Sequence, residues 1–231
     1  MSADKDVMIE AVDINKEYRR AGAIIRALAD INLKIRSGEF VIIQGPTGCG
    51  KSTLLNVLSG LDLPDSGRII FDGENIARAT EDRLSRLRRQ KIGFVFQDFN
   101  LVNTLTAIEN VEAVLWPTVL RQKEIENRAI SALRDVDLLD RKDHFPTQMS
   151  GGEKQRCGIA RAIIHRPRVI LADEATGNLD PESEKQVMAL LKKINTEMET
   201  TIIFVTHRNL SQYATKTIRM DKGRITKIQQ N

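Results

Sequence analysis

The sequence has 231 residues, 41% of them hydrophobic, 29% charged and 4% aromatic, with a net charge of +4. That is enough apolar material for one large core and excludes a disordered chain; the interleaving of acids and bases and the scarcity of aromatics argue against a nucleic-acid partner. No apolar run approaches the roughly 18 residues of a membrane helix, the polar start Met1-Ser2-Ala3-Asp4-Lys5-Asp6 does not read as a signal peptide, and two cysteines, Cys49 and Cys157, make no spaced framework, so a protein of a reducing cytoplasm is expected.

From the N-terminus, β patterns at residues 9–18, 27–35, 40–44 and 68–71 alternate with turns and predict an antiparallel β layer. The apolar run Phe40-Val41-Ile42-Ile43 leads to Gly45-Pro46-Thr47-Gly48-Cys49-Gly50-Lys51-Ser52 and then to a helical pattern opening at Thr53. A strand, a glycine-rich loop and a helix start form the setting in which GxxxxGK[ST] cradles nucleotide phosphates. The glycines turn backbone N–H groups inward, and the helix adds the positive end of its dipole. Lys51 is placed to reach the β- and γ-phosphates, and Ser52 to ligate Mg²⁺. A thiol at Cys49, beside Lys51 and a helix N-terminus, is expected to have a lowered pKa.

The densest basic run, residues 83–91 with Arg86, Arg88, Arg89 and Lys91, is expected to be a solvated helix face. Ile92-Gly93-Phe94-Val95-Phe96 predicts a strand ending at Gln97. From about 98 to 164 the period is helical, most clearly at 106–115 and 124–136. Within this stretch Met149-Ser150-Gly151-Gly152-Glu153-Lys154-Gln155-Arg156 opens a further helix, so Ser150 and the two glycines form a second anion site. Val169-Ile170-Leu171-Ala172 then predicts a buried parallel strand ending in Asp173-Glu174, at the crevice where open α/β sheets bind ligands. Asp173 is placed to hold Mg²⁺, and Glu174 to polarise an attacking water. A helix from 181 to about 198, a strand at 201–206 and two short strands at 217–220 and 224–228 complete the chain. No internal repeat appears, so residues 1–231 are expected to be one domain, with 1–97 and 165–231 as an α/β core plus β layer and 98–164 as a helical lobe.

The order of P-loop, Ser-Gly-Gly signature, Asp-Glu strand, Asn178-Leu179-Asp180 turn and isolated His207 resembles the ABC ATPases from near Ile9 to Ile228. The resemblance implies an α/β fold with a P-loop NTPase (RecA-like) core, an antiparallel β layer and an inserted α-helical lobe. It implies ATP and Mg²⁺, with Gln97 contacting the metal or the lytic water and His207 touching the γ-phosphate and holding Glu174. Tyr18 stands where the family stacks an aromatic on adenine. Thr53 completes the P-loop side. Ser150, Gly151, Gly152 and Glu153 together with Asp180 are implied to face the nucleotide of a second chain, in a head-to-tail homodimer or with a paired ATPase subunit.

Residues 92–111 and 172–180 look like the branch of lipoprotein-release, macrolide-export and cell-division ATPases, which work with an integral permease-type subunit at the inner face of the membrane. A solute-importer ATPase, a soluble ABC protein acting on ribosome or DNA, and a small-molecule kinase are the other readings. The surface of residues 97–119, with Phe99, Leu101 and Trp116, is expected either to receive a cytoplasmic helix of the membrane partner or to be core of the helical lobe. Three positions depart from the family's pattern: Glu153 for the usual Gln, Ala175 for Pro, and Arg208 after the switch histidine where Asp is common. Glu153 is expected to add negative charge near the phosphate site.

Overall fold

The computed structural model describes residues 7–20 and 22–231; the polar start and Ala21 lie outside the described residues. The chain begins with a long antiparallel pair, β1 (Val7–Arg20) and β2 (Ala23–Arg36). From Ala29 onward β2 alternates buried and exposed residues, the period of a strand with one face on a core. β3 (Phe40–Gln44) has no such alternation: residues 40–43 are all buried, and the strand leaves for a second sheet. The predicted place of residues 40–44 in the antiparallel layer is therefore overturned, because a strand apolar on both faces needs cover on both faces, which a parallel sheet between helices supplies. The antiparallel layer is completed instead by β4 (Ser66–Phe71) and β5 (Glu74–Asn75), in the order β2-β1-β4-β5.

The second sheet contains β6 (Ile92–Phe96), β7 (Val169–Asp173), β8 (Thr201–Thr206), β9 (Lys216–Asp221) and β10 (Arg224–Gln230), in the order β10-β9-β3-β8-β7-β6. All neighbours run parallel except β10, which pairs antiparallel with β9. Alternate residues of its central strands feed two cores. Val41, Ile43, Leu171, Ile203 and Val205 pack with α1 (Lys51–Leu58) and the antiparallel sheet. Phe40, Ile42, Ile170, Ala172, Ile202 and Phe204 pack with the helices on the other side. Each Val, Leu, Ile or Phe among them, fully withdrawn from water, contributes about 1.5–3 kcal/mol.

Those other helices are α3 (Ala107–Glu112), α4 (Gln122–Asp135), α5 (Gly151–Ile163) and α6 (Pro181–Glu197). Thr106 caps α3 in a reciprocal capping box with Glu109, a device that contributes about 1 kcal/mol. The helix predicted at 106–115 stops at Glu112, and Pro117 follows in an irregular stretch. α5 crosses β6 at Gly93, where a side chain would run into the carbonyl of Ala162. α2 (Glu81–Lys91) carries the basic run and buries Leu84 and Leu87. Its face is only partly solvated, since Arg88 is tied to Gly60 O and Glu81, and Lys91 to Asp72 at 2.7 Å. Among the described residues no helix is long and apolar enough to cross a membrane.

Candidate functional site

The C-terminal ends of β3, β7 and β8 lie side by side in parallel register, and each delivers one part of the site. Gln44 pairs with Thr206, and Asp173 with Val205. After β3 the chain turns through the glycine-rich loop, and Gly50, at φ 103, opens α1. Only glycine fits Gly50: its φ is left-handed, and a Cβ there would collide with the carbonyl of Ala27. α3, α5 and α6 begin on a side-chain cap from Thr106, Ser150 and Asp180, but α1 begins with none and has no acid in its first turn. Its first N–H groups, which no helix satisfies internally, suit an anion.

Lys51 is 4% exposed. Its Nζ donates to Gly45 O at 2.9 Å and Pro46 O at 3.0 Å, and Glu174 Oε1 stands 3.8 Å away. Ser52 Oγ donates to Asp173 Oδ1 at 3.0 Å. Burial, with Glu174 next in chain, raises Asp173 above the usual carboxylate range, although the Ser52 hydroxyl and Lys51 pull it down. A hydroxyl and a half-buried carboxylate in contact, both hard oxygen donors, fit Mg²⁺. A cation there would also supply the counter-charge that burial withholds from Asp173.

Glu174 follows β7 in a left-handed conformation, φ 46, which for a residue with a side chain costs on the order of 1–3 kcal/mol and accumulates at working sites. Its backbone is pinned from both sides: its N–H donates to Val205 O at 3.0 Å, and its carbonyl accepts from Gly177 N at 2.8 Å. The carboxylate meets His207 Nδ1 at 3.1 Å through Oε2. Five positions singled out in the sequence thus meet in two neighbouring sets, Lys51–Glu174–His207 and Ser52–Asp173, which the consecutive residues Asp173 and Glu174 bring together.

Gln97 is tied elsewhere. Its Nε2 donates to Asn178 Oδ1 at 3.0 Å, and Asn178 Nδ2 returns a bond to Asp98 Oδ1 at 2.9 Å. The Gln97 side chain lies over Gly177, whose Cβ position is 3.0 Å from Nε2; it therefore joins the end of β6 to the turn after Glu174. Asp180 caps α6 by accepting from Glu182 N and Ser183 N at 3.1 and 3.0 Å, and Ser183 above all holds its carboxyl below the usual range. The start of α5 packs on this turn, with Leu179 3.5 Å from the Cβ position of Gly151 and Ser183 Oγ 3.1 Å from that of Gly152.

Glu153 does not present a bare charge. Oε2 accepts from Ser150 N at 2.7 Å, Ser150 Oγ accepts from Glu153 N at 3.2 Å, and Oε1 meets Arg141 Nε at 3.1 Å. The backbone bond from Ser150 leads the causes that keep this carboxyl ionised below its ordinary range, and Arg141 balances it. Tyr18 is 38% exposed and donates to Asp62 Oδ2 at 2.6 Å, with Lys16 Nζ 5.2 Å from its ring centroid. Burial, then Asp62, pushes its phenol up to about 12. The expectation for Cys49 is reversed: the thiol is buried in the core against α1, and burial pushes its pKa up, outweighing the pull of Lys51.

The sequence reading passed over Arg161 of α5, whose guanidinium donates to the carbonyls of Phe99 (2.8 Å) and Asn100. Both residues have positive φ, 61 and 49, so Arg161 holds a strained corner just beyond Gln97. It also passed over Glu184, which accepts from Arg208 Nη1 at 2.6 Å. Single charges inside helical patterns carry no sequence signal for such roles.

Residues 28–177 match the ABC transporter family. An ABC transporter ATP-binding protein of Methanocaldococcus jannaschii, MJ1508, is 46% identical over 222 residues, covering 96% of this chain and 99% of its own. The macrolide export ATP-binding/permease protein MacB of Brucella abortus is 42% identical over 218 residues, and the chain spans 94% of its own length but 34% of MacB. Among solved structures, a dimeric post-hydrolysis state of the ATP-binding cassette MJ0796 bound to ADP and Pi has a TM-score of 0.89 at 39% identity, over 96% of this chain and 98% of that one.

Proposed function

The chain belongs to the ABC transporter family, and on that premise we propose that it is an ATP-binding and ATP-hydrolysing subunit whose two copies close head to tail on nucleotide to drive a membrane partner. The observation that carries this reading is the convergence of the Lys51 ammonium, the Ser52–Asp173 oxygen pair and the Glu174–His207 pair on one rim of the parallel sheet.

The P-loop from Gly45 to Ser52, with Thr53, cradles the phosphates, and Lys51 neutralises charge on the β- and γ-phosphates. Ser52, Asp173 and Gln97 are the residues that would hold Mg²⁺, which when bound neutralises charge developing on the phosphate oxygens. Glu174 accepts the proton of the attacking water, and His207 orients its carboxylate. Tyr18 stacks on adenine. Ser150, Gly151, Gly152, Glu153 and Asp180 face the nucleotide held by the partner cassette, so the γ-phosphate is shared across the interface; its loss removes the differential stabilisation of the closed pair. In this reading residues 98–164 form a helical lobe inserted between the core segments 1–97 and 165–231.

ATPase turnover per chain is expected to rise with protein concentration, since each site is completed by a second chain. Turnover independent of concentration, with phosphate passed to a small molecule, would instead favour the kinase reading.

Association with the inner face of the membrane, through an integral subunit, is part of the same proposal, as is export, release or mechanical work as opposed to solute import. The proposed seat of a cytoplasmic helix of that subunit is the surface of residues 97–119, where Asn100 and Val114 open onto a groove of about 470 Å³ also lined by Leu61, Arg88, Phe94 and Arg161. Phe99 and Leu101 pack on the core, whereas Trp116 is 49% exposed, so only part of the 97–119 surface is open to a partner. Cysteines at Asn100 and Asn103 are expected to crosslink to the membrane subunit in the assembled complex; free labelling at both without crosslinks would move the docking site elsewhere.

A further inference from the structure

Arg208 stands directly after His207, where the family commonly has an acid, and here that position is occupied by a cation with a built partner. Arg208 Nη1 donates to Glu184 Oε2 at 2.6 Å, and the same oxygen accepts from the Thr176 hydroxyl at 2.9 Å. Arg208 is 37% and Glu184 16% exposed at their side chains, and Thr176 is 1% exposed, so the pair is partly buried, with the carboxylate end and its hydroxyl partner withdrawn from water and the guanidinium partly screened by it. A negative charge in place of Arg208 would instead face Glu184 as a like charge.

Each partner is attached to a different part of the site. Thr176 lies two residues beyond Glu174, in the turn closed by Gly177 N on Glu174 O. Glu184 lies in the first turn of α6, its N–H donating to Asp180 O at 2.9 Å. The Arg208 N–H donates to Thr206 Oγ1 at 3.0 Å, and its carbonyl accepts from Gln44 Nε2 at 3.1 Å. Gln44 is the last residue before the P-loop. His207 is itself 48% exposed at its side chain, so its place depends on the backbone either side of it, Thr206 in β8 and the anchored Arg208.

We propose that Arg208, Glu184 and Thr176 form a clamp that fixes the switch-histidine turn to the turn after Glu174, and that Arg208 and Glu184 are a coupled pair of positioning residues for ATP hydrolysis. The inference rests on the roles given above to Glu174 and His207. Neither residue of the pair touches the nucleotide cradle; they act by holding the His207–Glu174 contact. Small displacements of such a constellation are costly, about 10²-fold for roughly 1 Å.

The test is a double-mutant cycle on steady-state kinetics of the full chain. Arg208→Ala and Glu184→Ala are each expected to lower kcat about 10-fold or more while ATP KM stays within about two-fold, the signature of an interaction that serves the chemical step and not substrate binding. The double variant should be no worse than the more impaired single, because both remove the same contact. Arg208→Glu combined with Glu184→Arg should recover turnover above either of its singles. Wild-type kcat in the single variants, with only a lowered Tm, would overturn the proposal, and so would multiplicative losses or absence of recovery in the swap. If the alanine variants do not fold, Arg208→Met and Glu184→Gln form the same cycle with most of the side-chain bulk kept and the charges removed, and additivity there overturns it equally. Glu174→Gln separates the two levels. Retained turnover in that variant removes the base assignment, whereas coupling between Arg208 and Glu184 is read independently of it.

Discussion

Glu174→Gln is expected to lower ATP turnover by about 10²–10⁴-fold, the contribution of a general base, while nucleotide binding is kept. The carboxylate is held between Lys51 at 3.8 Å and His207 at 3.1 Å, on a backbone in a left-handed conformation fixed by Val205 and Gly177. An amide of the same shape sits in that frame without rearranging it, and it cannot take the water proton. With binding intact and the γ-phosphate unspent, the closed pair loses its route to opening, so the variant should elute as a dimer with ATP and as a monomer without it. The measurement is turnover together with size-exclusion chromatography in Mg-ATP. Turnover near wild type would remove Glu174 from the base role and shift attention to other groups near the site.

Those parts of the site that a short run of residues determines were legible before the fold was known. A strand, a glycine-rich loop and a helix start are local, and so is an apolar strand ending in two acids; both were read from β3 to Ser52 and from β7 to Glu174. What escaped was set by residues far apart in sequence. β3 joins β8 and β9, more than 150 residues away, and not the strands that flank it. The Cys49 thiol was read against its neighbour Lys51, but its burial comes from a core that includes Met220 and Val205. Arg161 reaches back to Phe99 and Asn100, two positive-φ residues of which Phe99 carries no mark of that conformation and Asn100 only the weak one of its type. The charge of Glu153 looked unfavourable only while Arg141 was not known to face it. In each case the misreading is one of tertiary partner, not of local propensity.

Lys51→Met is expected to fail earlier in the cycle than Glu174→Gln, at binding. The methionine keeps the unbranched stem inside the loop and removes the ammonium, which in this structure spans the Gly45 and Pro46 carbonyls at 2.9 and 3.0 Å. In the proposed complex that ammonium makes contacts to two phosphates, each worth about 1.5–3 kcal/mol as a hydrogen bond to a charged group. Together they convert to a loss of about 10²–10⁴-fold in ATP affinity. Burial sharpens the expectation: Lys51 is 4% exposed, so bulk water supplies little substitute screening for phosphate charge at this point. The loop should nevertheless fold, since Gly223 N on Cys49 O at 2.9 Å and Leu54 N on Gly50 O at 2.9 Å do not involve the ammonium. Equilibrium binding of a fluorescent ATP analogue, read beside Tm, measures the effect. Affinity within about three-fold of wild type, less than 1 kcal/mol on the same scale, would mean that backbone N–H groups and the helix start hold the phosphates without Lys51. The two variants should therefore separate cleanly: with Mg-ATP, Glu174→Gln accumulates the closed pair and Lys51→Met never forms it.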